Sequence, residues 1–204
     1  MYKRQYNNFV YDFLYPNPAS VLAFIENHDT DRFLGEGDNL PMLKQASTLL
    51  LTTRRIPQLY YGTEVMMNGV KSKSDGYVRK DFPGGWTGDA TNALTPAGRT
   101  KIQNECYDFY KTILNWRKGN DVIAKGSMVQ FMVQNGVYAY ARQYEGKTIF
   151  VMLNGTDAET TVPLKFYKEI LKNSKQGKDI LSGKAITFGE ELKMGPRESL
   201  VIEL

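Results

Sequence analysis

Residues 127–154 read "SMVQFMVQNGVYAYARQYEGKTIFVMLN" and carry the clearest fold signal in the chain. Runs of alternating apolar residues are separated by Asn135-Gly136 and by Glu145-Gly146. An Asn-Gly pair between alternating runs is the strongest short signal for a β-hairpin, because both residues accept a positive φ. The stretch therefore predicts consecutive antiparallel strands joined by tight turns.

The same pattern continues to the last residue in "AITF" (185–188) and "ESLVIEL" (198–204). Several short strands at regular spacing are typical of an antiparallel β-sandwich, and a segment of this length is usual for such a domain. Residues 121–204 are therefore predicted to form an antiparallel β-sandwich.

The first part of the chain alternates strand and helix patterns. "SVLAFIE" (20–26) is apolar on both alternating faces, as expected for a parallel strand covered on both sides. Asp38 or Asn39 can cap a following helix that has Pro41 in its first turn, and "IPQLYY" (56–61) is a second short apolar run. Strand, helix and strand in this order predict a βαβ unit of a larger parallel sheet.

No helix or strand period is sustained between Gly62 and Leu94. The pair Thr95-Pro96 then predicts the start of a helix that runs to about Lys118 and ends at Gly119-Asn120. Its apolar positions step by four and three and predict one packed stripe: Ile102, Cys106, Phe109, Ile113 and Trp116. Cys106 is the single cysteine and is interpreted as a small apolar residue of this stripe.

Composition limits the classes of partner. The chain has 204 residues, of which 42% are hydrophobic, and a net charge of +4 from basic residues interspersed with acidic ones. No run of basic residues accompanies a nucleic-acid motif, and no apolar run reaches the roughly 20 residues of a membrane span. We therefore expect a soluble chain with no nucleic-acid and no membrane partner.

The stretch "FIENHDTDR" (24–32) contains the only histidine of the chain, His28, between Asn27 and Asp29. These polar side chains follow a predicted parallel strand, and the carboxyl ends of parallel strands are where functional loops converge. A histidine can donate hydrogen bonds to a ligand, and a carboxylate can accept them from hydroxyls. The alternative is that Asn27, Asp29 and Thr30 only turn the chain.

Residues 75–89 mix aromatic and charged side chains: Asp75, Tyr77, Arg79, Asp81, Trp86 and Asp89. A sugar site needs aromatic faces for the apolar side of the ring and fixed polar groups for the hydroxyls. Two alternatives stay open. The aromatic residues can instead seal the loop to the domain, and Arg79 can form a local ion pair with Asp81 or Asp75.

Three ordered motifs resemble the α-amylase family of glycoside hydrolases. "FIENHDTDR" resembles its fourth conserved region, and "RIPQLYYGTEV" (55–65) looks like its next barrel strand, with Arg55 in place of the usual glycine. "RKDFPGGWTGDATNALTPAGRT" (79–100) is similar to the neopullulanase and cyclomaltodextrinase-like branch. The resemblance runs in order from about residue 9 to residue 120.

This resemblance implies a fold and two domains. Residues 1–120 are expected to be the C-terminal part of a catalytic TIM (β/α) barrel, comprising its last two βα units. Residues 121–204 are then expected to be the β-sandwich domain C. The fold class expected from the resemblance is α/β plus all-β, with a partial barrel followed by an antiparallel β-sandwich.

The resemblance also assigns roles to residues. Asp29 corresponds to the carboxylate that stabilises the transition state, and His28 to the histidine that hydrogen-bonds the same sugar. Asn27, Arg79, Asp81 and Trp86 are expected to bind substrate, whereas Glu64 is expected to be structural. No metal ligand is expected in this chain, and calcium is expected only as a possible cofactor of a full-length enzyme.

The implied function is that of a fragment of a retaining α-glucan hydrolase. Its substrates would be the α-1,4 or α-1,6 bonds of maltooligosaccharides, cyclodextrins, pullulan or starch. The motifs for the nucleophile and the acid/base are absent from the sequence, so we expect them upstream and expect this chain alone to be inactive. Its expected partners are an α-glucan oligosaccharide and either the upstream barrel portion or a second copy of the chain. The alternative is a non-catalytic carbohydrate-binding or structural module.

Overall fold

The structure is a computed structural model that describes residues 2–204, with side chains described from residue 4 onward. The helices are α1 Tyr2–Val10, α2 Leu40–Thr52, α3 Asp75–Val78, α4 Lys101–Arg117, α5 Asp121–Lys125 and α6 Lys168–Leu171. The strands are β1 Leu22–Ala23, β2 Ile56–Pro57, β3 Ser127–Gln130, β4 Val137–Tyr144, β5 Lys147–Asn154, β6 Thr160–Pro163, β7 Gln176–Asp179, β8 Ala185–Thr187, β9 Glu191–Met194 and β10 Ser199–Glu203.

Strands β1 and β2 pair in parallel and are joined through α2, so the predicted strand–helix–strand order is observed. Both strands are much shorter than the predicted runs 20–26 and 56–61. The backbone bonds that join the two strands run from the N–H groups of Ile56 and Gln58 to the carbonyls of Val21 and Ala23. The prediction that both faces of the first strand are covered is wrong, since Leu22 is 54% exposed.

Helix α2 begins where the sequence indicated. The side chain of Asn39, rather than that of Asp38, accepts a hydrogen bond from the backbone N–H of Met42, and Pro41 lies in the first turn. Helix α4 begins later than predicted. Thr95-Pro96 opens a short 3-10 turn over Pro96–Gly98, and Thr100 then caps α4 in a capping box with Gln103.

The apolar stripe predicted for α4 is confirmed in its central part. Cys106 and Ile113 are fully buried against α2, and burial raises the pKa of the Cys106 thiol to about 12. Ile102, at the first turn, is 38% exposed and lies outside that core. Gly119, at φ +76°, follows the helix, and Asn120 caps α5 directly after it, so the predicted end of the helix is correct.

Both predicted hairpin turns are present. Asn135 and Gly136 have φ values of +49° and +79°, and Glu145 and Gly146 have +48° and +78°. Two successive residues at positive φ match the right-handed twist of paired strands, which is why this turn connects them closely. The second turn joins β4 to β5 along eight residue pairs, the longest ladder of the molecule.

In the part of the chain that the structure describes, ten strands form three sheets, and every pairing except that of β1 with β2 is antiparallel. The large sheet has six strands in the order β3-β4-β5-β10-β7-β8, and β6 and β9 form a separate antiparallel pair. One face of the large sheet packs against that pair and the following segment, with Phe150 and Met152 facing Val162 and Met194. Two antiparallel layers around a common core correspond to the predicted sandwich.

The opposite face of the large sheet is also covered. Tyr138, Tyr140 and Val151 pack against α5 and against Leu49 of α2. Because successive residues of a strand point to opposite faces, "VYAYA" sends its small and β-branched residues to one core and its tyrosines to the other. Helix α2 is thus shared by the parallel pair that it connects and by the antiparallel sheet.

The first residues of the chain are fixed by a buried ion pair. Asp12 accepts hydrogen bonds from Arg54, at 2.5 Å, and from Arg55, which also donates to the carbonyl of Pro18 at 3.1 Å. Burial opposes ionisation of Asp12, but the hydrogen bonds from both arginines outweigh it and hold its pKa below the usual range. Arg55, the residue that departs from the family pattern, therefore has a structural partner.

Among the described residues, no helix is both long and apolar enough to cross a membrane.

The lowered pKa of Asp12 predicts acid sensitivity. Its stabilising effect is complete above the unfolded-state pKa of about 4 and is lost as the pH falls through the lower folded-state value. We expect the free energy of unfolding, measured by urea denaturation from neutral pH to about pH 2, to fall more steeply in wild type than in Asp12→Asn. At neutral pH, Asp12→Asn should be less stable by roughly 1–3 kcal/mol.

The matched control is Asp108→Asn, because Asp108 is exposed on α4. This variant should keep the pH profile of wild type. Superimposable profiles for Asp12→Asn and wild type would contradict the assignment.

Candidate functional site

The Asn-His-Asp segment begins four residues after the carboxyl end of β1. Asn27 Oδ1 accepts a hydrogen bond from the backbone N–H of Asp29 at 2.8 Å, and Thr30 Oγ1 accepts one from the N–H of Asn27 at 3.1 Å. Asn27 and Thr30 therefore help to form the turn, and the role of Asn27 in substrate binding stays a prediction. The side chains of His28 and Asp29 remain accessible to solvent, and each is 59% exposed.

A buried ion pair joins the two ends of this loop. Glu26 and Arg32, on either side of the loop, are 2% and 1% exposed, and Arg32 Nη1 lies 3.3 Å from Glu26 Oε1. Arg32 also donates to the carbonyl of Tyr61 at 2.7 Å and to that of Val78 at 3.0 Å, and Thr63 donates to Glu26. Burying a charge is tolerated when it is paired and hydrogen-bonded, so this network can hold the loop against the end of β2.

His28, Asp29 and Arg79 form one polar cluster. His28 Nε2 lies 3.1 Å from Asp29 Oδ2, and Arg79 Nη2 lies 3.2 Å from Asp29 Oδ1. Arg79 Nε donates to the backbone carbonyl of His28 at 3.0 Å. The guanidinium thus contacts both residues of the motif from a segment 50 positions further along the chain.

Two further residues surround this cluster. Lys71 Nζ donates to the backbone carbonyl of Asp29 at 3.1 Å and lies 3.5 Å from Asp75 Oδ1. Asp75 Oδ2 also lies 3.1 Å from Arg79 Nη2, so the local ion pair considered as an alternative for Arg79 exists with Asp75. It coexists with the contact to Asp29, since one guanidinium presents five donors.

The other two predicted site residues are not brought into this cluster. Within the part of the chain that the structure describes, neither Asp81 nor Trp86 hydrogen-bonds to His28, Asp29 or Arg79. Trp86 is 72% exposed, and its backbone N–H bonds locally to Asp89 Oδ2 at 2.9 Å. The alternative in which Trp86 seals the loop to the domain is therefore wrong, because its ring is open to solvent.

Sequence reasoning missed the residues that support the loop. Glu26 directly follows the apolar run 21–25, and a charge that ends such a run signals a buried partner, here Arg32. Tyr61 was also missed as a residue of the site. Its ring is 40% exposed, and its hydroxyl donates to the carbonyl of Lys80 at 2.6 Å. Burial raises the pKa of its neighbour Tyr60, over whose ring Arg32 lies at 4.0 Å.

The described residues contain no group of three or more His, Cys, Asp or Glu side chains placed to hold a metal ion. Calcium prefers six to eight oxygen ligands, including several carboxylates. The carboxylates nearest the cluster, Asp29 and Asp75, are engaged by Arg79 instead.

The arrangement places the carboxylate of Asp29 beside the imidazole of His28 on the solvent-exposed loop 27–30, which is called the rim below. Each carboxylate oxygen has two acceptor positions, so Asp29 can accept from a ligand while it keeps its contacts with His28 and Arg79. A negative charge in this place can also stabilise positive charge that develops on a bound molecule. Binding of a neutral hydroxylated ligand is the chemistry that this geometry suits.

Comparison with known proteins identifies relatives of the chain. Residues 128–203 match the family described as the Cyclo-malto-dextrinase C-terminal domain. An α-amylase from Niallia circulans is 31% identical over 82% of the chain, and a cyclomaltodextrin glucanotransferase from Thermoanaerobacterium thermosulfurigenes is 31% identical over 86% of it. The chain spans 29% and 22% of the length of these two relatives.

The fold is shared with a solved enzyme. The α-amylase from Geobacillus thermoleovorans, solved with acarbose, superposes with a TM-score of 0.75 at 23% identity, over 97% of this chain and 42% of that chain. The fold is thus one found in glycoside hydrolases of the α-amylase family. The relatives of this chain are the C-terminal regions of α-amylases and cyclomaltodextrin glucanotransferases of that family.

Proposed function

We propose that this chain is the C-terminal part of a retaining α-glucan-acting enzyme and supplies one side of its active site. The observation that supports this proposal is the exposed carboxylate of Asp29, which lies beside His28 and Arg79 in the loop that follows the parallel strand β1. The substrates proposed are maltooligosaccharides, cyclodextrins, pullulan or starch, through their α-1,4 or α-1,6 bonds. The relatives include an α-amylase and cyclomaltodextrin glucanotransferases.

In this proposal Asp29 acts on the sugar beside the bond that is cleaved. Its carboxylate accepts hydrogen bonds from two sugar hydroxyls, and its charge stabilises the oxocarbenium-like transition state. The guanidinium of Arg79 keeps the carboxylate at the rim, because it also anchors the carbonyl of His28.

His28 donates a hydrogen bond to the same sugar from its imidazole, and Asn27 positions the backbone of Asp29. Asp81 and Trp86 remain proposed substrate-binding residues of the neighbouring loop. The open ring of Trp86 supports this role, since an exposed aromatic face can stack on the apolar side of a sugar.

The proposal requires two carboxyl groups that this chain does not supply. A retaining mechanism places a nucleophile and an acid/base about 5 Å apart, and both are proposed to lie on preceding barrel strands. The two-stranded parallel sheet β1-β2 is proposed to be part of that barrel, with residues 1–120 as its last units and 121–204 as domain C. Calcium, if the longer enzyme binds it, would be held by residues outside this set.

An exposed apolar surface supports a partner at the parallel strands. Leu22, Phe24 and Ile56 are 54%, 44% and 49% exposed, and each of the two strands has one unpaired edge. Phe13 and Leu14, which follow α1, are 76% and 65% exposed. Unpaired strand edges with apolar faces recruit other strands, so we propose that the preceding barrel portion covers them and that the chain alone self-associates.

A non-catalytic structural role is the alternative, and one observation favours it. The end of α2 is held by Tyr140 and Arg142 of the antiparallel sheet, which hydrogen-bond to Thr52. A sheet that anchors a helix of the parallel unit can serve mainly to stabilise it. Under this alternative, neither His28 nor Asp29 contributes to sugar binding.

Binding of acarbose separates these alternatives. We expect Asp29→Asn and His28→Ala each to weaken acarbose binding about tenfold in isothermal titration, because each removes a charged or hydrogen-bonding group at the sugar. Asp38→Asn, an exposed aspartate before α2, is the matched control and should bind as wild type does. Equal affinity in all four proteins would favour the structural role.

Hydrolysis by the isolated chain should be absent. The chain provides Asp29 but neither of the two carboxyls that a retaining mechanism needs, so no covalent intermediate can form. We expect no release of reducing sugar from maltoheptaose or pullulan above the level of Asp29→Asn. Release that depends on His28 would contradict the division of the site between this chain and a preceding segment.

Self-association should depend on the exposed strands. We expect the mass from light scattering to rise with concentration, and the variants Leu22→Lys and Ile56→Lys to shift the protein toward the monomer, because a charge on an exposed strand opposes edge pairing. Ile102→Lys, on an exposed position of α4, is the control. A wild-type chain that stays monomeric at all concentrations would count against the proposal.

A further inference from the structure

A groove lies at the C-terminal end of α4, away from the Asn-His-Asp segment. It has a volume of about 620 Å³ and is lined by the last turn of α4, the segment up to α5, the β4–β5 hairpin and the end of β10. This volume is within the range of about 300–1,000 Å³ of sites for small molecules.

Aromatic side chains line two sides of this groove. Trp116 comes from α4 and Tyr144 from β4, and both are half-buried, with their inner sides on the core beneath the large sheet. Trp116 Nε1 donates to Glu203 Oε1 at 2.7 Å, which fixes the orientation of the indole. Among the described residues, the hydroxyl of Tyr144 has no hydrogen-bond partner.

Charges of both signs surround these aromatic groups. Lys118 and Lys147 lie on the same groove as Glu145 and Glu203, and all four residues are exposed. A strongly charged ligand of either sign would lie close to a side chain of the same charge. A neutral molecule with many hydroxyls can use both the donors and the acceptors while its apolar face contacts the aromatic rings.

The groove is separate from the candidate active site. The first turn of α4 contacts the segment that follows β2, where Gln103 donates to the carbonyl of Val65 at 3.0 Å, and its last turn carries Trp116. Seventeen residues at 1.5 Å per residue place the two ends about 25 Å apart. None of the residues that line the groove belongs to the Asn-His-Asp segment or to its partners Lys71, Asp75 and Arg79.

We propose that the groove formed by Trp116, Tyr144, Lys147 and Glu203 is a second binding site, for a neutral oligosaccharide. It needs no catalytic group and does not depend on the function proposed above. Bound there, an oligosaccharide stacks on the two aromatic side chains, receives a hydrogen bond from Lys147 and donates one to Glu203. Such a site would hold a long glucan on the surface while its other end is free.

The two tryptophans of the chain allow a selective test. Trp86→Phe leaves Trp116 as the single tryptophan, so its emission reports on the groove alone. In this background, titration with maltoheptaose should give a saturable change in emission. Tyr144→Ala should weaken the affinity about tenfold and Lys147→Ala a few-fold, because they remove a stacking face and a donor.

Two controls decide the location. Lys111→Ala, an exposed lysine on α4 outside the groove, and Asp29→Asn at the candidate active site should both leave the titration unchanged. If Tyr144→Ala fails to give the wild-type circular dichroism spectrum, Lys147→Ala decides. The proposal is overturned by the absence of any saturable change, by equal affinity in Lys147→Ala and wild type, or by a signal that is lost in Asp29→Asn.

Discussion

The structure depends on the guanidinium of Arg142, a buried cation that is balanced by carbonyl groups. Arg142 is 1% exposed and donates to the carbonyls of Thr52, Ile123, Gly126 and Ser127. Helix ends leave carbonyls without intrahelical partners and carry a partial negative charge, so the ends of α2 and α5 together compensate a charge that burial would otherwise exclude. Burial lowers the pKa of Arg142 to about 10, which still leaves it protonated at neutral pH.

This interaction links the parallel unit to the antiparallel sheet. Arg117 of α4 donates to the carbonyl of Leu51, so two guanidinium groups satisfy neighbouring carbonyls at the end of α2. Gln45, on an earlier turn of the helix, donates to the carbonyl of Asn154 at 2.7 Å. Because β2 begins three residues after Thr53, the position of α2 also sets where the rim of the parallel strands lies. The antiparallel sheet thereby orients a site with which it shares no side chain.

The rim is held by one buried charge pair and carries one exposed charge pair. Glu26 and Arg32 are buried and hydrogen-bonded, so their contact is shielded from solvent and holds the loop in place. Asp29 and Arg79 are exposed, so either of them can exchange its partner for a ligand. A rigid support below an adaptable surface is the arrangement expected of a binding site. Arg55, which differs from the family pattern, contributes to the same half of the molecule by pairing with Asp12.

Local rules in the sequence determined the turns and the helix ends. Asn135-Gly136 and Glu145-Gly146 can adopt positive φ, and Asn39 can cap α2, whatever the rest of the chain does. Only the tertiary structure decided the lengths of β1 and β2, the exposure of Trp86 and the meeting of Arg79 with Asp29. These depend on hydrogen bonds and packing between distant segments, and Asp29 and Arg79 are 50 residues apart. The sequence could indicate the residue types of the site, but the fold selected which of them share one surface.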